Sequence, residues 1–154
     1  MTLTIQSPLG CDSGAPCLRF SGYAALFDVA DAGGDVIRRG AFAGSLARLR
    51  DGGEQLPLLW QHRPEQQIGW VETIAEDARG LRVIARLAPD AGVSAHLLED
   101  GEVRGLSFGY RALDARGIAL PGGHPGRELN EIDLFEVSLV THPMQPAAGV
   151  ILVI

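Results

Sequence analysis

Residues 103–113 read VRGLSFGYRAL, an apolar run typical of a buried strand, and within it Ser107 stands between Gly105 and Gly109. Glycines on both sides of a hydroxyl remove side chains that would obstruct a substrate carbonyl, and they let backbone N–H groups approach an oxyanion. Ser107 is therefore a candidate nucleophile. The alternative interpretation is an ordinary strand serine, and the motif alone does not decide between the two.

The residues after Ser107 exclude the α/β-hydrolase fold, in which Gly-x-Ser-x-Gly forms a turn between a strand and a helix. Here residues 108–113 continue as a strand. The candidate base, His62, also precedes the serine, whereas that fold places the histidine after the nucleophile and the acid. Ser107 keeps its candidate role without that fold.

A serine needs a base and a group that orients the base before it becomes a useful nucleophile. His62 follows the apolar, strand-like residues 56–60, and a strand end is a rigid support for a catalytic side chain. Glu136 lies downstream in DLFEVSLV, residues 133–140. These three residues form a candidate serine–histidine–acid site.

Composition and charge limit the classes of function. The chain has 154 residues, a net charge of −6 and no lysine, which argues against nonspecific binding to nucleic acid. No apolar run approaches the roughly 20 residues of a membrane span, and no signal peptide is recognisable, so we expect a cytoplasmic protein that does not bind membranes.

The four histidines are far apart and no phosphate-binding loop is present, so we expect neither a metal nor a cofactor. Cys11 and Cys17 are expected to be reduced.

Hydrophobic periodicity predicts a mainly β chain with short helices, of the α+β class. We expect one β-barrel or curled antiparallel sheet with peripheral helices. We expect a flexible N-terminal segment at 1–17 and a single domain at 18–154. The predicted strands are 18–27, 35–37, 56–60, 68–74, 81–87, 103–113, 129–140 and 150–154, and the predicted helices run from residue 42 to 50 and, capped by Asp90, to 99.

The order of several motifs resembles that of the prohead maturation proteases of tailed phages, a family distantly similar to the herpesvirus capsid assembly protease. The resemblance covers roughly residues 20–150, and several ordered motifs are more specific than one. The motifs are residues 35–37 with 40–42, 58–62, 68–69, 80–81, 105–110 and 133–143.

The resemblance implies a serine endopeptidase with a herpesvirus-protease-like barrel, in which 18–154 is the catalytic domain. Its implied substrate is the scaffold, or the N-terminal scaffolding segment of the major capsid protein, inside assembling proheads in the host cytoplasm. His62 matches the family's catalytic histidine and Ser107 its nucleophile. Glu136 matches an acidic position in the family's Glu-Val-Ser-Leu-Val motif, and Ser138 of that motif is interpreted as packing.

Several alternatives stay open. The third member of the site is Glu136, then His142, then Asp133 in order of preference, although strand alternation places Asp133 opposite Glu136. A noncatalytic module for capsid assembly or scaffold binding is the alternative function, and an esterase of small substrates is a weaker one. A homo-oligomer, and an origin in a phage, a prophage or a gene transfer agent, are also left open.

Overall fold

The computed structural model describes residues 2–4 and 17–154. These residues form strands β1 to β9, helices α1 and α2, and one 3-10 turn at Pro121–Gly123. The strands are Leu3–Thr4, Arg19–Leu26, Asp35–Ile37, Pro57–Trp60, Arg63–Glu76, Gly80–Leu87, Gly105–Ala119, Pro125–Val140 and Gly149–Val153, and the helices are Ala43–Gly52 and Val93–Glu99.

Seven strands close into a barrel in the order β5, β4, β8, β7, β9, β2, β6, and β6 pairs back onto β5. Strand β1 pairs with β5, and β3 pairs with β8. Most pairs are antiparallel, but β4 and β3 run parallel to β8. The expected mainly β barrel with peripheral helices is therefore confirmed.

Apolar side chains from the strands fill the barrel, and their removal from water is the main force that stabilises it. Among the side chains of this core are Phe20, Leu58, Ile74, Leu81, Val83, Leu106, Val137 and Leu139. Helix α1 packs outside the barrel against β8 and β5. Gly53 follows its last residue, and the φ of 62° at Gly53 is the left-handed conformation in which helices commonly end.

Strands β5, β7 and β8 are longer than the sequence predicts, and β8 begins at Pro125 instead of residue 129. Strand β5 begins at Arg63 instead of residue 68, because its first residues pair with β4. These residues are exposed and polar, so no apolar alternation predicts them as a strand. Strand β7 continues to Ala119 instead of ending at residue 113, because it pairs with β8 along its whole length. Cross-strand pairing thus outweighs the local turn signal of residues 114–117.

Two further expectations were wrong. Helix α2 begins after Gly92, and Asp90 does not cap it, because the chain makes a separate turn at Asp90 before the helix starts. Strand β9 was expected at an edge, but it lies between β7 and β2 and completes the barrel. Only the pairing partners reveal this position, and they are distant in sequence.

The N-terminal segment predicted to be flexible, residues 1–17, lies mostly outside the described residues. Within it, Leu3 and Thr4 pair with Ile74 and Thr73 of β5. Cys17 is disulfide-bonded, so the expectation that it is reduced was wrong. In the described part of the chain, the helices are too short and too polar to span a membrane.

Candidate active site

The register of β7 and β8 brings two candidate groups onto one surface. Ser107 pairs with Ser138, and Gly109 pairs with Glu136. Side chains of directly paired residues in antiparallel strands lie on the same face of the sheet. The hydroxyl of Ser107 and the carboxylate of Glu136 therefore belong to neighbouring positions on one face.

His62 reaches this face because β4 runs parallel to β8, with Leu59 paired to Ser138. Gln61 and His62 form a two-residue turn between β4 and β5, and their φ angles are 53° and 59°. Two-residue hairpins favour turns of this kind, because their twist matches that of the strands. Left-handed φ costs a residue with a side chain about 1–2 kcal/mol, so other contacts must hold the turn.

Hydrogen bonds fasten this turn to the end of β8. The backbone N–H of Gln61 donates to the carbonyl of Leu139 at 3.0 Å, and that of His62 donates to Ser138 Oγ at 3.1 Å. The side-chain amide of Gln61 donates to Thr141 Oγ1 at 3.2 Å and accepts from the Thr141 N–H at 3.3 Å. No sequence pattern indicates this role for Gln61 and Thr141, and only the parallel pairing of β4 with β8 identifies them.

The imidazole and the carboxylate form a close pair. Nδ1 of His62 lies 2.5 Å from Glu136 Oε1, and Ser138 Oγ donates to Glu136 Oε2 at 2.6 Å. Glu136 is buried, where water has little access to its carboxylate. Its two oxygens are hydrogen-bonded to His62 and Ser138 instead. With Nδ1–H donating to the carboxylate, Nε2 is the ring nitrogen left to accept a proton.

Glu136 also changes the proton affinity of His62. Its hydrogen bond raises the pKa of the imidazole above the ordinary value of 6.5, partial burial opposes this, and the carboxylate charge adds to the increase. A carboxylate on one nitrogen orients a histidine and stabilises its protonated form. The pair thus has the electrostatics of a general base that becomes a general acid.

Ser107 is only 5% exposed, but it is not sealed in the barrel core. It lines a cavity of about 40 Å³ together with Phe108 and Tyr110 of the same strand and with Met144 and Gln145 after β8. Among the hydrogen bonds of the described chain, none joins Ser107 Oγ to the imidazole of His62. The two residues are connected through Ser138, which pairs with Ser107 in the strand register and accepts a hydrogen bond from the His62 N–H.

The other candidates for the third position have different partners. Asp133 binds Arg48 at 2.6 Å and Arg111 at 3.1 Å. His142 contacts Thr141 Oγ1 through Nδ1 at 3.0 Å. In the described residues, Glu136 is thus the candidate bonded to His62, while Asp133 and His142 are not. Those residues contain no cluster of three His, Cys, Asp or Glu side chains able to hold a metal ion.

Gly109 makes room for the carboxylate, and this predicts a large effect of a small substitution. A Cβ at position 109 would lie 2.5 Å from Glu136 Oε1 and 2.9 Å from Glu136 Cγ. Gly109→Ala is therefore expected to displace the carboxylate from His62 and to cost about 1–3 kcal/mol of unfolding free energy through overpacking. Denaturant unfolding and an NMR titration of His62 measure both effects.

In that titration, the midpoint of His62 is expected to fall toward its ordinary value. Gly117→Ala is the matched control, because a Cβ at this strand position meets no heavy atom within 4 Å. An unchanged His62 midpoint in Gly109→Ala would contradict the assigned role of the glycine.

The sequence was also compared with families of known proteins. Residues 10–153 match the model described as Caudovirus prohead serine protease. The chain belongs to this family. The resemblance noted from the ordered motifs is thereby confirmed.

One prohead protease relative comes from Enterobacteria phage HK97. The two sequences are 30% identical over 135 residues, which is 85% of this chain and 58% of the relative. The chain therefore spans less than two thirds of the length of that prohead protease.

Solved structures place the barrel among the viral capsid proteases by fold. The bacteriophage T4 capsid assembly protease matches with a TM-score of 0.68 at 14% identity, covering 93% of this chain and 92% of the T4 chain. The KSHV protease, in complex with a hexapeptide phosphonate inhibitor, matches with a TM-score of 0.57 at 13% identity, covering 88% and 64%. The varicella-zoster virus protease gives 0.55 at 16% identity, covering 88% and 63%. These identities support a shared fold with the phage and herpesvirus enzymes.

Proposed function

We propose that this prohead protease family member is a serine endopeptidase in which Ser107 is the nucleophile, His62 the base and Glu136 the orienting acid. Its substrate is the scaffold, or the N-terminal scaffolding segment of the major capsid protein, of a tailed phage, a prophage or a gene transfer agent. It acts inside assembling proheads in the host cytoplasm. The relative from phage HK97 supports this role, since it is itself a prohead protease.

The observation that carries the proposal is the hydrogen bond between His62 Nδ1 and Glu136 Oε1 on the face that also holds Ser107. In serine hydrolases the acid binds one imidazole nitrogen and the other nitrogen faces the hydroxyl. Ser107 comes from β7, Glu136 from β8 and His62 from the turn between β4 and β5. A bond between a buried carboxylate and a histidine that stays accessible to solvent favours catalysis over a general surface role.

The reaction proceeds by acyl transfer. His62 Nε2 takes the proton of Ser107 as Oγ attacks the carbonyl carbon of the substrate peptide. The tetrahedral intermediate collapses, the C–N bond breaks, and His62 gives its proton to the leaving amine. Water then attacks the acyl-enzyme by the same route, which releases the acid product and restores the Ser107 hydroxyl. Glu136 stabilises the imidazolium that exists between these proton transfers.

A phosphonate probe tests the proposal directly, because such compounds phosphonylate activated serines. The KSHV protease, which has a similar fold, is known with a peptide phosphonate. We expect a peptidyl diphenyl phosphonate to label the chain at Ser107 and to label His62→Ala at a rate lower by about 10³-fold. Mass spectrometry of the digested protein maps the labelled residue.

The proposal names the capsid precursor as the substrate, so the major capsid protein precursor of the same genome serves as the protein substrate in the same experiment. The proposal predicts that the wild-type chain cuts it and that the phosphonylated chain does not. Absence of labelling at Ser107 in a folded protein, with the precursor left intact, would instead support the noncatalytic assembly module. Labelling together with hydrolysis of small esters but not of the precursor would support the esterase.

A further inference from the structure

We infer that Ser138 is a positioning residue of this site, whose hydroxyl holds both the Glu136 carboxylate and the His62 turn in the arrangement that presents the imidazole to Ser107. This inference rests on the proposed function and deepens it. It also replaces the earlier interpretation of Ser138 as packing with a specific hydrogen-bonding role.

The hydroxyl of Ser138 makes one hydrogen bond to Glu136 and one to His62. It donates to Glu136 Oε2 at 2.6 Å and accepts from the backbone N–H of His62 at 3.1 Å. A serine hydroxyl has one proton to donate, so its donor is fully used on the carboxylate. Ser138 is also 0% exposed, so water has no access from which to take over either bond.

The bond to the carboxylate fixes the orientation of Glu136. A glutamate side chain has several rotatable bonds, and its terminal torsion is broad. With Oε2 held by Ser138, the remaining oxygen Oε1 faces His62 Nδ1. Without the hydroxyl, Oε2 loses its donor in a buried place and the carboxylate gains freedom to turn away from the imidazole.

The bond to the backbone fixes the turn that carries the imidazole. His62 has a φ of 59°, a conformation that residues with side chains adopt only when their surroundings maintain it. The N–H of His62 is held by Ser138, directly across from Ser107 in the strand register. One hydroxyl therefore links the positions of the base and the acid, and it belongs to the residue that pairs with the nucleophile.

Ser45 provides a matched control from the same molecule. Like Ser138, it is a buried serine whose hydroxyl makes two hydrogen bonds. Both of its partners are main-chain groups: it donates to the Ile132 carbonyl at 2.8 Å and accepts from the Leu134 N–H at 2.9 Å. These bonds fasten helix α1 to β8 and involve neither His62 nor Glu136. A hydroxyl lost at position 45 tests the structural effect without the positioning effect.

The experiment compares Ser138→Ala, Ser138→Cys and Ser45→Ala with the wild-type chain. Cysteine keeps the shape of serine but is a weak donor, so it separates hydrogen bonding from packing and remains informative if the alanine variant does not fold. The readouts are the rate of phosphonate labelling per folded molecule across pH and the NMR titration of His62.

We expect Ser107 in both Ser138 variants to be labelled about 10–100-fold more slowly, since losing a hydrogen-bond partner that orients a functional side chain can have effects of this size. We also expect the midpoint of the acid limb to move to lower pH, because an imidazole that loses its carboxylate partner loses a proton more easily. Ser45→Ala is expected to lower the denaturation midpoint while its labelling rate and His62 titration stay at the wild-type values.

The inference is wrong if the Ser138 variants keep the wild-type rate per folded molecule and an unchanged acid limb, while Ser107→Ala is inactive. In that case the proposed function stands and Ser138 only packs. Wild-type cleavage by Ser107→Ala would instead overturn the proposed function itself. The two failures are therefore distinguishable within one set of proteins.

Discussion

Ser107→Ala is expected to lower the rate of peptide cleavage by about 10³-fold or more while the barrel stays folded. The substitution removes the oxygen that attacks the carbonyl, and no other described serine occupies the same position opposite Ser138. His62→Ala is expected to cause a similar loss, because residues of one catalytic unit depend on each other and their effects do not add. Rates are measured on a capsid-precursor peptide with the purified variants.

Ser45→Ala is the control for this prediction, since Ser45 is equally buried but lies at the interface of α1 and β8. It should cleave at the wild-type rate. Circular dichroism and unfolding curves establish that all the variants are folded. Undiminished cleavage by either Ser107→Ala or His62→Ala would remove the catalytic assignment.

Glu136→Gln is expected to lower the cleavage rate by about 10²–10⁴-fold, a range typical of replacing the orienting acid by its amide. An amide no longer stabilises the imidazolium, and its NH₂ group favours the wrong tautomer of His62. The pKa of His62 is raised chiefly by its hydrogen bond to Glu136, so the wild-type acid limb should have its midpoint above 6.5. In the variant this midpoint moves toward lower pH, because an unpaired imidazole stays neutral further into the acid range.

Asp133→Asn is the matched control for this prediction, because Asp133 binds Arg48 and Arg111 instead of His62. It should keep the wild-type rate and the wild-type pH profile. His142→Ala tests the remaining alternative in the same way. A large loss in either of these variants, with Glu136→Gln fully active, would move the third role away from Glu136.

The sequence predicts the barrel well where apolar alternation and neighbouring turns agree. Residues 81–87 lie within β6, and α1 ends close to where Gly52 and Gly53 predict. The prediction fails where pairing with a distant strand decides the outcome. Strand β9 shows this clearly, because its own residues do not reveal that it lies between β7 and β2.

The candidate residues His62, Ser107 and Glu136 could be selected from the sequence, but their arrangement could not. The turn at Gln61 and His62 contains no glycine or asparagine, so no residue signals its positive φ angles. Strand β8 also has an irregularity between Leu134 and Glu136, which leaves Phe135 without a partner in the β7 register. Bulges of this kind re-aim side chains and are common beside active sites, but they depend on the partner strand.

Ser138 illustrates the same limit at the level of one atom. Its place on an apolar strand predicts burial, and burial is what the structure has. The two partners of its hydroxyl come from β8 itself and from a turn far away in sequence. A network of this kind is visible only once β4 has been paired with β8.

The proposed mechanism requires the His62 imidazole to come within proton-transfer reach of the Ser107 hydroxyl. The most direct measurement is a crystal structure of the chain phosphonylated at Ser107, in which the probe occupies the place of the tetrahedral intermediate. We expect His62 Nε2 within about 2.6–3.2 Å of Ser107 Oγ or of the phosphonyl oxygen that stands for the leaving group, with Nδ1 still bonded to Glu136. An imidazole that faces away from the phosphonate, or a covalent adduct on another residue, would contradict this mechanism.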